Sequence, residues 1–179
     1  MNPLIIGKNL SGLLIAAAAA AKTSVTAGGA GNNIAVVGLT IDRETLQPYG
    51  AAAPIDNATP IGAVFLVNYE AALTATDTLS LNGVKVEHSA DGATWETYSQ
   101  QATADTNNIA WPAAGVVDTG GAGGTTQRGC VAYGTNLQGA MRYVRFDFTP
   151  VLSAAVTDTA TIMVSAVLSG YGEVPASAV

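Results

Sequence analysis

The sequence predicts an all-β protein, an antiparallel β-sandwich of jelly-roll-like type with a short N-terminal helix or extended arm. Three observations lead there. From Ile34 onward, short apolar stretches are separated by Gly, Pro, Asn and Asp, the punctuation of antiparallel strands. Between Arg142 and Phe148 the chain alternates, with Val144, Phe146 and Phe148 on one face and Tyr143, Arg145 and Asp147 on the other, as a half-buried strand requires. Finally, Ser89-Ala90-Asp91-Gly92-Ala93-Thr94-Trp95 places turn residues tolerant of positive φ between two strand-like runs.

In chain order, Ser11 can cap a short helix through Leu13, Leu14, Ile15 and the alanine run Ala16 to Ala21, ended by Gly28, Gly29 and Gly31. The alternative is an extended arm laid along a partner. Residues 1–33 are accordingly assigned to the arm and 34–179 to one sandwich domain, a size that buries a real core. Expected strands are Ile34 to Ile41, Ile61 to Tyr69, Val84 to Ser89, Thr94 to Tyr98, Cys130 to Tyr133, Arg142 to Thr149 and Thr161 to Leu168. Val64 to Val67 is continuously apolar, the pattern of a strand covered on both faces. Two long irregular stretches, Tyr49 to Pro60 around Pro54 and Thr106 to Gln127 around Trp111, Gly121 and Gly123, are of a length that function or a partner usually explains. The glycine-rich part of the second is expected to be a flexible loop that orders on contact.

Composition narrows the function classes. Hydrophobic residues make up 49% and charged residues 11%, leaving a surface rich in Ala, Thr, Ser and Gly that packs against neighbouring subunits as readily as it meets water. A net charge of -6 with 7 basic residues scattered singly opposes nucleic-acid binding, which draws on clustered Lys and Arg. No apolar run reaches the roughly 20 residues of a membrane-spanning helix. Lys8 followed by Leu10, Leu13, Leu14 and the alanines resembles a signal peptide, and the expectation is that the segment is retained.

No residue set suggests catalysis, a cofactor or a metal. His88 is the only histidine, beside Glu87 on a strand, where successive side chains point to opposite faces; an exposed strand histidine is expected. Asp42, Arg43 and Glu44 are expected to form a solvated turn. Thr76-Asp77-Thr78 and Thr157-Asp158-Thr159 repeat one kind of strand connection, with Asp accepting local backbone hydrogen bonds, and they lack the dense oxygen ligands of a calcium loop. Cys130, the sole cysteine, excludes an internal disulfide and is expected to be buried as a small hydrophobe.

Two resemblances follow. The run Val84 to Trp95, followed later by Ala140 and Arg142-Tyr143-Val144-Arg145 with Met141 interposed, is similar to the strand-hairpin-strand pattern of discoidin-type, galactose-binding-like jelly rolls. That similarity implies a sandwich and, as an alternative function, a carbohydrate-binding module or adhesin with Trp95 and Trp111 as platforms. The wider order resembles the head decoration or cement proteins of tailed phages. It comprises that hairpin, Gly123 to Gly129, Val131-Ala132-Tyr133, Asn136 to Arg145, Phe148-Thr149-Pro150 and Thr157 to Ala160 before an apolar last strand. This resemblance implies a structural virion protein without enzymatic activity. Its partner would be the major capsid protein, it would form a homo-oligomer (a trimer is favoured), and it would sit on the capsid surface after assembly in the host cytoplasm. The expected contact residues are Leu10, Leu13, Leu14, Ile15, Pro54, Trp111, Gly121 and Gly123.

Overall fold

Residues 15–45, 59–101, 108–110, 115–154 and 157–171 are described by the computed structural model of the chain. Among them the strands are β1 (Ile15–Thr26), β2 (Ile41–Asp42), β3 (Pro60–Leu73), β4 (Thr78–Ser89), β5 (Glu96–Gln100), β6 (Asn108–Ala110), β7 (Val116–Thr119), β8 (Thr125–Asn136), β9 (Tyr143–Leu152) and β10 (Thr159–Tyr171). They form two antiparallel sheets, one in the order β1-β10-β3-β8-β6 and one in the order β2-β9-β4-β5, with β7 also on β4. The first is called here the long sheet and the second the short sheet. The all-β sandwich expected from the sequence is what the chain forms.

The core lies between the sheets. Phe65 of β3 stacks on Phe146 of β9 with ring centroids 4.7 Å apart, and Tyr133 and Phe148 join at 5.5 and 6.0 Å from Phe146. Offset aromatic packing of this kind adds to the burial of the rings. The alternation from Arg142 to Phe148 is realised as expected, with Val144, Phe146 and Phe148 fully buried. At the other end Tyr69 crosses to the short sheet, its hydroxyl donating to Asp118 Oδ2 of β7 at 2.8 Å; burial and then that carboxylate push its pKa up to about 12.

Four expectations of local structure are corrected. The alanine run is no helix: Ile15 to Thr26 form β1, paired antiparallel to β10 with Ile15 opposite Leu168 and Thr26 opposite Thr159. Alanine favours the helix in isolation, but Ala19, Ala20 and Val25 bury their side chains in the sandwich, and tertiary burial overrides propensity. Ile34 to Ile41 makes no continuous strand. It meets β9 only at the Val36–Phe148 bridge and at β2, while Leu39 N–H donates to Ala19 C=O at 2.8 Å, so this segment closes the side of the sandwich between β9 and β1. Gly38 sits at the crossing, where a Cβ would fall 2.3 Å from Phe146 O. The Gly120 to Gly124 tract is a hydrogen-bonded turn between β7 and β8. Gly120 N–H donates to Asp77 C=O at 2.8 Å, Gly121 N–H to Thr125 Oγ1 at 2.9 Å and Gly124 N–H to Gly121 C=O at 3.0 Å. These bonds fix the tract to the β3–β4 connection without a partner's contact. Finally, Val64 to Val67 is covered by the described residues on one face only: Phe65 and Val67 are buried, whereas Val64 remains 38% exposed.

Candidate functional site

The outer faces of the two sheets carry different chemistry. On the short sheet, β4 contributes Lys85 and Glu87, directly opposite Asp147 and Arg145 of β9. The four make a compact ion-pair network. Arg145 donates to Glu87 Oε2 from Nε at 2.7 Å and from the terminal nitrogen at 2.5 Å, Lys85 bonds Glu87 Oε1, and Asp147 Oδ2 lies 3.7 Å from Arg145 and 3.9 Å from Lys85. Burial pushes Glu87 upward, but its bonds to Lys85 and Arg145 outweigh that and hold it below the usual carboxylate range. Asp147 goes the other way. Burial raises it, helped by the neighbouring Glu87 charge, although Gly38 N–H donates to its Oδ1 at 2.9 Å. Trp95 lies over this network, with the Arg145 guanidinium 4.1 Å from its ring centroid.

The hairpin that leads to Trp95 forms as the sequence predicts. Ser89 Oγ donates to Asp91 Oδ1 and accepts from Gly92 N–H, both at 2.9 Å, while Ala93 and Thr94 N–H donate to Asp91 Oδ1 at 2.8 Å. Gly92 has φ of 74°. The Thr94 and Ala93 amides and the Ser89 hydroxyl hold the Asp91 carboxyl well below its ordinary range.

Other charged groups are also turned inward. Arg43, expected in a solvated turn, is 4% exposed and donates to four carbonyls: Ala140 and Pro60 at 2.5 Å, Met141 and Leu137 at 2.9 Å. It thereby clamps the β8–β9 connection to the start of β3. The neighbouring Asp42 is the group that meets the surface ion pair, accepting from Arg142 at 2.7 and 3.0 Å. Asp158 is buried too, accepting from the Thr74 amide at 2.9 Å and the Thr74 hydroxyl at 2.6 Å. His88, expected to be exposed, has a side chain only 13% accessible, tilted against Tyr98 and accepting at Nδ1 from Met141 N–H. The correct part of that expectation is the separation of His88 from Glu87, which pairs with Arg145 instead.

The long sheet is different. Its outer face brings Val64 of β3 opposite Val167 of β10, Leu66 between Ser165 and Ala132, and Asn68 between Met163 and Cys130. Val64 is 38% and Met163 52% exposed. Cys130, expected to be buried, is exposed on this face. Beyond these rows Glu70 and Arg128 close an ion pair at 2.6 Å, the one ion pair on this face among the described residues.

Of the residues expected to make contacts, Leu10, Leu13, Leu14, Pro54 and Trp111 lie outside the described residues. Ile15 opens β1 at the edge of the long sheet, and Gly121 and Gly123 lie in the β7–β8 turn, away from the rows of Val64, Leu66 and Asn68. Sequence reasoning passed over that face, although the unbroken apolar run Val64 to Val67 was its signal.

No protein-family model matches the sequence, and no curated protein is similar to it. Among solved structures, a chain in the structure of infectious bursal disease virus, Gx strain, is similar over 89% of this chain and 42% of that chain, with 14% identity and a TM-score of 0.22. A likeness of that size carries no functional argument.

Proposed function

We propose that this chain is a structural virion protein, a decoration or cement protein that binds the outside of a tailed-phage head and stabilises the shell. The observation that supports this reading best is the exposed outer face of the long sheet, where Val64, Leu66, Met163 and Val167 lie in an almost uncharged surface. Contiguous apolar surface on a folded chain is characteristic of proteins that work covered by another subunit. The resemblance of the hairpin and of Asn136 to Arg145 to decoration proteins points the same way. A protein that binds only the assembled lattice shifts the equilibrium toward the lattice, so the work is done by binding and calls for no catalytic group.

The test is to add purified protein to phage heads that lack it and follow the particles by co-sedimentation and cryo-electron microscopy. The expected result is saturable binding as a symmetric outer layer, with heads that resist heating better. Heads that stay bare at saturating protein overturn the proposal. The carbohydrate-binding alternative rests on Trp95 and Trp111: Arg145 covers one face of the Trp95 ring, and Trp111 lies outside the described residues.

A further inference from the structure

We infer that the outer face of the long sheet is the contact by which two copies of this chain pair, sheet against sheet. The inference rests on reading that face as an assembly surface, and it does not require that the assembly be a phage head.

The argument begins with β3. Val64 to Val67 has the pattern of a strand covered on both sides, and the sandwich covers one. What the other side offers is uncharged. The rows of Val64, Leu66 and Asn68 run from β10 across β3 to β8 without a charged side chain, and the ion pair beyond them, Glu70–Arg128, is already neutral. A chain with a net charge of -6 repels its own copies through most of its surface, and a neutral face is where that repulsion is weakest.

The relief of the face is self-complementary. Val64, Leu66, Met163 and Val167 stand as a ridge on the adjacent strands β3 and β10, and the small, exposed Ala132 lies beside it on β8. A two-fold axis parallel to the strands between β3 and β8 lays the ridge of each copy into the trough of the other. This is an isologous contact, with the aligned packing that β-sheets adopt at about 10 Å. The area suffices: the four long strands β1, β10, β3 and β8, about 4.8 Å apart and with ten residues each at about 3.3 Å, offer about 600 Å² per copy, or about 1,200 Å² in the pair, the lower end of specific stable interfaces.

Cys130 reports on this contact without any mutation, because it is the only cysteine and it lies on the face, opposite Asn68. The experiment measures the mass of the full chain by analytical ultracentrifugation across a concentration series and, in the same samples, the rate at which Cys130 reacts with a maleimide. The expected result is a dimer at high concentration whose thiol reacts at least about tenfold more slowly than that of the diluted monomer, since only the dissociated fraction is open. Val64→Glu and Met163→Glu, at exposed positions, are expected to leave the circular dichroism spectrum and the melting temperature of the diluted monomer nearly unchanged, to abolish the dimer together with any rise of melting temperature with concentration, and to restore fast labelling.

A chain that stays monomeric and labels quickly at every concentration overturns the inference. Slow labelling that is independent of concentration does so as well, because it means the chain covers the face with its own residues. A trimer overturns it too, since a two-fold face contact closes at two copies. Head binding is scored separately: heads that bind protein while the free chain neither pairs nor hides Cys130 leave the decoration reading standing and remove this one, and a dimer that ignores heads does the reverse.

Discussion

The outer face of the short sheet holds Lys85, Glu87, Arg145 and Asp147 in mutual ion pairs beside a tryptophan, whereas the outer face of the long sheet holds Val64 and Met163 exposed beside the half-buried Leu66 and Val167. The two sheets share the same core aromatics, so the difference does not come from inside. One sandwich thus closes its polar chemistry on one outer face and leaves the other apolar and partly exposed. Polar groups on the short sheet satisfy one another, and what remains unsatisfied is the apolar surface of the long sheet.

Mutations at the shared core and then on each face test that contrast. Phe146→Ala removes the ring that both sheets pack against and is expected to cost about 3–5 kcal/mol, measured by urea denaturation. A loss below about 1 kcal/mol would mean the sheets do not depend on a common core. Gly38→Ala puts a methyl group 2.3 Å from Phe146 O, where the crossing segment joins β9, and about 2–3 kcal/mol should be lost. Equal stability would show that the segment from Ile34 to Ile41 is not held there.

Glu87→Ala leaves Arg145 and Lys85 facing each other without their shared carboxylate; allowing for their partial exposure, about 1–3 kcal/mol is expected. The pH dependence sharpens this. Because Glu87 is held below its ordinary value of 4.5, its contribution is present above that pH and is lost as the pH falls through the folded value. Asp147 is raised above 3.8, so its contribution is present below that pH and fades as the pH rises through the folded value. Glu87→Gln should therefore flatten the acid limb of melting temperature against pH, and an unchanged limb would reject the assignment. Asp91→Asn is expected to act more weakly but with the same sign, removing the part of hairpin stability that disappears in acid. The smallest effect belongs to the long sheet: Met163→Ser should change monomer stability by less than about 0.5 kcal/mol, since its side chain meets water in the single chain.

Much of the fold was legible because it depends on local patterns. The alternation of Val144, Phe146 and Phe148 has only one sensible placement beside a core, and Asp91-Gly92 with Ser89 carries the turn chemistry that it uses. The alternating strand also separated Arg145 and Asp147 from the core side. Their pairing with Glu87 and Lys85 depended on the register of β4 against β9, which no local signal records. The glycine tract misled for a related reason: glycine permits many conformations, and hydrogen bonds to the distant Asp77 connection chose among them.

The sequence by itself determined the class of the protein and the parity of its strands, because side chains in a pleated strand alternate whatever the strand packs against. The tertiary structure decided which of those faces were closed. It turned the alanine run into β1, since the edge of β10 offered hydrogen bonds and a buried face that outweigh alanine's preference for helix. It took Arg43 out of the solvent, because carbonyls from Pro60, Leu137, Ala140 and Met141, far apart in the chain, converge on one guanidinium. And it left Cys130 and the ridge of β3 and β10 outside, since burial is a property of what lies across a face, and a strand's own residues do not say what that will be.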